Sequence, residues 1–123
     1  MIAIDSSGSI NEIVLNSFLS EVNFIMSLIT NYKIDLIVCD DTIRSHKTFS
    51  SGESLEIDIV GGMGTDFRPV FQFIEDYLYD TNLLLYFTDL DGIFPKEEPL
   101  YDLKWVVSKE GEIPFGEMIV LES

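Results

Sequence analysis

The chain has 123 residues, 46% of them hydrophobic and 12% aromatic, with a formal net charge of −15. That length suits one domain with one sizeable core, and the apolar content excludes a disordered chain despite the charge. The 22 acidic residues against 7 basic ones, with no stretch that gathers Lys and Arg, exclude nucleic acid and an anionic membrane surface as partners.

In chain order, "MIAI" is a continuous apolar run, the pattern of a strand covered on both faces. From Asn11 to about Thr30, apolar residues recur at Leu15, Phe18, Leu19, Val22, Ile25, Met26 and Ile29, spacings of three and four that predict one helical stripe. "KIDLIVCD" predicts a second strand and "TIRSHKTF" a third; so short a link implies a hairpin, with the third strand antiparallel at an edge. Cys39, the one cysteine, falls in this apolar run. It excludes an intramolecular disulfide and a thiolate zinc cluster, and it reads as a buried, inert thiol. A loop "SSGESLEIDIV" and a glycine-rich turn "GGMGTD" lead to a second amphipathic helix over Phe67 to about Tyr79, with Pro69 in its first turn. "NLLLYFTD", "DLKWVVS" and "GEMIVLE" complete the set as three further strands.

This order predicts an α/β fold: a three-layer, Rossmann-like sandwich on a mostly parallel sheet with one antiparallel edge strand. Its difficult step is the link between the fourth and fifth strands, because a parallel crossover normally takes a dozen or more residues and Leu90 to Asp102 barely supplies them. The organisation is a single domain over 1–123, either a very compact whole or the C-terminal part of a longer protein. No signal peptide stands at the start and no run reaches the roughly 18 apolar residues of a membrane span, so the expected setting is cytoplasmic.

If the first strand is central, the first and fourth strands meet where strand order reverses, the crevice in which open α/β sheets bind ligands. Three segments then converge: Asp5-Ser6-Ser7-Gly8-Ser9, Gly64-Thr65-Asp66, and Thr88-Asp89-Leu90-Asp91-Gly92. All offer oxygen donors, which select Mg²⁺, Mn²⁺ or Ca²⁺ over zinc or copper. In an extended loop alternate side chains share a side, so Asp5, Ser7 and Ser9 can point to one centre while Gly8 permits the tight path between them.

"DSSGS" resembles the Asp-x-Ser-x-Ser signature of von Willebrand factor type A (VWA) domains, with Thr65 and Asp89 standing where that pattern has its later threonine and aspartate. "GGMGTDFRPVF", "LLLYFTDLDG", "LKWVVS" and "PFG" extend the resemblance over nearly the whole chain, toward the bacterial VWA-like domain that follows a metallopeptidase-type domain. The resemblance implies a metal-ion-dependent adhesion site (MIDAS), with a divalent cation held by Asp5, Ser7, Ser9, Thr65 and Asp89. It implies a non-enzymatic protein interaction module, in which an acidic side chain of a partner protein completes the metal shell. Many intracellular bacterial relatives work beside MoxR-type AAA+ ATPases. The chain departs from a full-size VWA domain in its shortened or missing helices after the third and fourth strands, and in having no helix after the last strand.

Plainer readings stand beside these. Ser9 with Glu12 forms a capping box, and Thr65 or Asp66 can cap the second helix. Asp91 reads as a solvated or outer carboxylate, Asp40 and Asp41 as turn residues, and His46 as a surface histidine. "LLLYFTDLDGI" also resembles the Asp-x-Asp-Gly motif of haloacid-dehalogenase phosphatases, with Asp89 as nucleophile and Asp91 as acid; only 31 residues follow Gly92, too few for that family's remaining motifs. A VWA-like fold without a working site is the third possibility.

Overall fold

A computed structural model of the chain describes residues 1–5, 12–28, 33–50, 64–78 and 81–121. The elements are β1 (Ile2–Asp5), α1 (Glu12–Leu28), β2 (Lys33–Cys39), β3 (Ile43–Ser50), α2 (Arg68–Tyr77), β4 (Leu83–Phe87), β5 (Asp102–Val107) and β6 (Glu117–Val120). They form a six-stranded sheet in the order β3-β2-β1-β4-β5-β6, parallel throughout except for the β2–β3 hairpin. The antiparallel edge strand is β3, as its alternation predicts, and β1 lies between β2 and β4, the arrangement that opens a crevice at their carboxyl ends.

Alternation along β1 divides the core. Ile2 and Ile4 face α1, where they pack with Phe18, Val22, Leu36, Phe87 and Val106. Ala3 faces α2 and joins Ile37, Val70, Phe71, Ile74, Tyr86 and Trp105. Both faces of a strand buried this way need apolar residues without a break, which is why "MIAI" carries no polar position.

The link between β4 and β5 is made without a helix, by residues 88–101, and the link between β5 and β6 by the still shorter residues 108–116. Aromatic side chains in these loops cover the sheet where a helix would otherwise lie. Phe94 and Phe115 pack on the cluster of Phe67, Phe71, Tyr86 and Trp105; Phe94 meets Phe67 and Trp105 at centroid distances of 4.8 and 5.2 Å. The Trp105 Nε1–H donates to the Phe115 carbonyl at 3.0 Å, so the indole secures the second loop from beneath. Gly116 turns that loop into β6 with φ +82°, and a Cβ there would stand 2.9 Å from the Leu103 carbonyl oxygen.

Helix α2 begins one residue later than its apolar pattern predicts, at Arg68, with Pro69 in the first turn. Its N-cap is Phe67, which makes no side-chain capping bond; one residue ahead of it, Asp66 Oδ1 accepts the Arg68 backbone N–H at 3.0 Å. Neither predicted capping residue, Thr65 or Asp66, occupies the N-cap position, though Asp66 meets the helix's first N–H from the turn before it. The Ser9–Glu12 capping box and the loop over 51–60 involve residues outside those described.

Candidate functional site

The carboxyl ends of β1, β2 and β4 place Asp5, Asp40 and Thr88 side by side, and these are the buried polar residues among those described. Asp5 stands in register with Cys39, immediately before Asp40. From the other flank, the Thr88 hydroxyl donates to Asp5 Oδ2 at 2.5 Å, a short bond of the kind a carboxylate draws from a hydroxyl. A buried carboxylate without such donors would carry a desolvation cost of several kcal/mol.

Asp40 meets its charge differently. Arg44 Nε donates to Asp40 Oδ1 at 2.8 Å, while Arg44 Nη2 reaches Asp41 Oδ1 at 3.2 Å. Asp40 is thus a turn residue, as the hairpin predicts, but a fully buried one; Asp41 is the exposed member of the pair.

Thr65 and Asp66 reach the crevice from the start of α2. The Asp66 N–H donates to the Asp40 carbonyl at 3.1 Å, Phe67 N–H to the Ile93 carbonyl at 2.9 Å, and Asp66 bridges Ile93 in a parallel pairing. This stitches the turn before α2 to β2 on one side and to the loop after β4 on the other. Thr65 then lies so close to Gly92 that a Cβ on Gly92 would come within 2.7 Å of Thr65 Cγ2 and 3.0 Å of its carbonyl oxygen. Asp66 itself is engaged by Arg68, whose Nε and Nη2 donate to its two oxygens at 2.9 and 2.8 Å. That hydrogen-bonded pair holds the Asp66 carboxyl below the usual carboxylate range.

Asp89, half-buried, follows Thr88 directly and accepts the Asp91 N–H at 3.1 Å. Leu90, with φ 67°, turns the chain there, and its N–H donates to Thr88 Oγ1 at 3.2 Å. Asp91 is exposed. Of the five predicted metal ligands, Asp5, Thr65 and Asp89 are carried by segments that meet at this crevice; Ser7 and Ser9 lie outside the described residues.

Sequence reasoning did not assign Thr88 a role or foresee the burial of Asp40. The signal for Thr88 was its position, a hydroxyl that ends the apolar run "LLLYF" one residue before Asp89. Asp40 offered none, because a hairpin aspartate beside another is the pattern of a solvated turn.

Beneath the carboxylates, Cys39 Sγ lies 3.4 Å from the Ile4 carbonyl and 3.2 Å from the Tyr86 hydroxyl. Burial pushes the thiol up to about 12, against the opposing hydrogen bond from Tyr86 and with the nearby charges of Asp5 and Asp40 adding to the rise. Cys39 is therefore a neutral, inert thiol at physiological pH. His46 lies out on β3, with Nε2 3.0 Å from Asp35 Oδ1 and its ring against Phe73.

The crevice offers oxygen chemistry suited to a hard divalent cation. Among the described residues no three His, Cys, Asp or Glu side chains come together as a metal cage. A cation here would therefore depend on hydroxyl donors beside Asp5 and Asp89, and Thr65 stands among the residues able to supply one.

Over residues 1–122 the chain matches the VWA-like domain (DUF2201). It belongs to this VWA-like family. An uncharacterized protein of Thermotoga maritima is 36% identical to the VWA-like domain over 86 residues, a stretch covering 70% of this chain and 21% of that protein. The match thus spans about a fifth of the relative's length. No solved structure matches this chain. Its fold is the frame of an interaction module, and among its described residues no helix is long and apolar enough to cross a membrane.

Proposed function

We propose that this VWA-like domain is a non-enzymatic module that binds one divalent cation, Mg²⁺ by preference with Mn²⁺ or Ca²⁺ as substitutes, in a metal-ion-dependent adhesion site. Asp5, Ser7, Ser9, Thr65 and Asp89 would hold it, and an acidic side chain of a partner protein would complete its shell. The observation that supports this most directly is the convergence of three segments far apart in the chain. Asp5 is bonded to Thr88, Thr88 precedes Asp89, and Thr65 packs on Gly92 of the same loop.

The donor set also explains why a metal would be useful here. The chain carries a formal net charge of −15 and would repel an acidic partner. A bound divalent cation reverses the sign at one point and gives a carboxylate somewhere to attach, since hydroxyl donors leave much of the ion's charge uncancelled. The partner class that the family resemblance suggests is a MoxR-type AAA+ ATPase, with the domain working in the cytoplasm.

Isothermal titration with Mg²⁺ and Mn²⁺ tests the reading. Saturable binding is expected for the unaltered chain and loss of binding for the Asp5→Ala, Ser7→Ala double variant. Absence of binding, or binding that survives in that variant, would overturn it.

A further inference from the structure

Thr88 follows the last residue of β4 at the seam with β1, one step past the Ile4–Phe87 pair of their parallel register. Its backbone is held from the other side, where the Thr88 N–H donates to the Val106 carbonyl at 3.1 Å. Its buried hydroxyl is engaged twice: Thr88 Oγ1 accepts the Leu90 N–H at 3.2 Å and donates to Asp5 Oδ2 at 2.5 Å. A hydroxyl has one proton to give, and the short bond commits it to the carboxylate. The result is a directed chain from the Leu90 N–H through the Thr88 O–H to Asp5, in which each bond polarises the next.

Asp5 is therefore fixed from two strands. Pairing with Cys39 of β2 sets its backbone, and the bond from Thr88 sets the plane of its carboxylate, a torsion that is otherwise broad. The same short segment carries the other ligand positions that meet at the crevice: Asp89 follows Thr88, and Gly92 seats Thr65. Between them Leu90 holds φ 67°, a left-handed conformation that a leucine adopts only where its surroundings impose it, and its N–H on Thr88 Oγ1 is one such constraint.

We propose that Thr88 is a positioning residue for the cation. It presents the Asp5 carboxylate at a fixed angle, and through the Leu90 N–H it ties the loop after β4 to occupancy of the site. The proposal rests on the cation reading and adds to it a residue outside the five ligands. A hydrogen bond to a ligating carboxylate governs metal affinity without touching the metal, and its loss typically weakens binding about 10–100-fold. A cation held by both Asp5 and Asp89 also opposes the local opening that frees the Leu90 N–H, so this amide reports occupancy.

The test compares Mg²⁺ affinity by isothermal titration, well below each melting transition, in the unaltered chain, Thr88→Val, Thr88→Ser and Val22→Ala. Val22 lies in the core from the second half of α1, so its truncation loosens the fold without touching the crevice. Thr88→Val should weaken affinity by about tenfold or more, Thr88→Ser should retain most of it, and Val22→Ala should leave it unchanged. Hydrogen exchange on the unaltered chain gives a second readout that needs no variant. Mg²⁺ should slow the Leu90 amide more than the Asp102 amide, which bonds the Asn82 carbonyl at the opposite end of the sheet. Thr88→Val binding as tightly as the unaltered chain, Val22→Ala weakening it equally, or a Leu90 amide indifferent to Mg²⁺ would overturn the positioning role while leaving the cation reading intact. An unaltered chain that binds no Mg²⁺ would overturn both.

Discussion

Removing the Thr88 hydroxyl takes away the donor that reaches Asp5 Oδ2 in a fully buried setting. Thr88→Val should therefore destabilise the fold by about 1–3 kcal/mol in urea unfolding, whereas Thr88→Ser should restore most of that loss. Cys39 makes a second prediction at this scale. Its folded pKa is raised from 9.0 to about 12, so above pH 9 the unfolded chain gives up this proton while the folded chain keeps it. The favourable difference is fully present below pH 9 and declines as pH rises toward 12, with a slope approaching about 1.4 kcal/mol per pH unit from this group. Urea unfolding at pH 8, 9.5 and 10.5 should show a steeper decline for the unaltered protein than for Cys39→Ala. At pH 8 the thiol should resist alkylation until the chain unfolds.

The elements that frame the crevice are joined by backbone contacts more than by side-chain charge. Gly92→Ala would force a methyl to within 2.7 Å of Thr65 Cγ2, and the neighbouring backbone oxygen at 3.0 Å leaves little room to give. The expected cost is about 1–3 kcal/mol, with a weaker Mg²⁺ affinity than that of Asp91→Ala, which changes an exposed side chain. A titration of both variants checks the order. Asp66→Ala removes the acceptor of the Arg68 backbone N–H and of its guanidinium, and should cost about 1 kcal/mol at neutral pH. Because the Arg68 pairing depresses the folded pKa of Asp66, that contribution is present above the ordinary carboxylate value and fades as pH falls through the depressed one. The difference between Asp66→Ala and the unaltered protein should shrink accordingly in acid.

For the molecule as a whole, the cation reading has a thermodynamic signature. A ligand that binds only the folded state at a hundred times its Kd adds about 2.7 kcal/mol. Saturating Mg²⁺ should raise the melting temperature by several degrees more than NaCl of equal ionic strength, since salt alone only screens the charge of −15. The excess should vanish in Asp89→Ala; an unchanged melting temperature would favour a VWA-like fold whose site does not work.

What the sequence determined by itself follows from short-range rules. Period-two and period-three-to-four patterns mark which face of each segment is apolar, and that is enough to name the strands of "MIAI" and "LLLYF", the helices through Phe18 and Val70, and the hairpin whose alternating strand must lie at an edge. Chain order then limits the sheet to few arrangements, so the meeting of Asp5 with the Asp89 segment was legible before any coordinates. Long-range geometry decided the rest. Whether residues 88–101 could carry a parallel crossover without a helix depended on Phe94 finding Phe67 and Trp105, a packing partnership that no local pattern encodes. The burial of Asp40 and the bond from Thr88 to Asp5 likewise exist only because β1, β2 and β4 end side by side. Desolvation and hydrogen bonding act on neighbours in space, and the tertiary structure alone decides which those are.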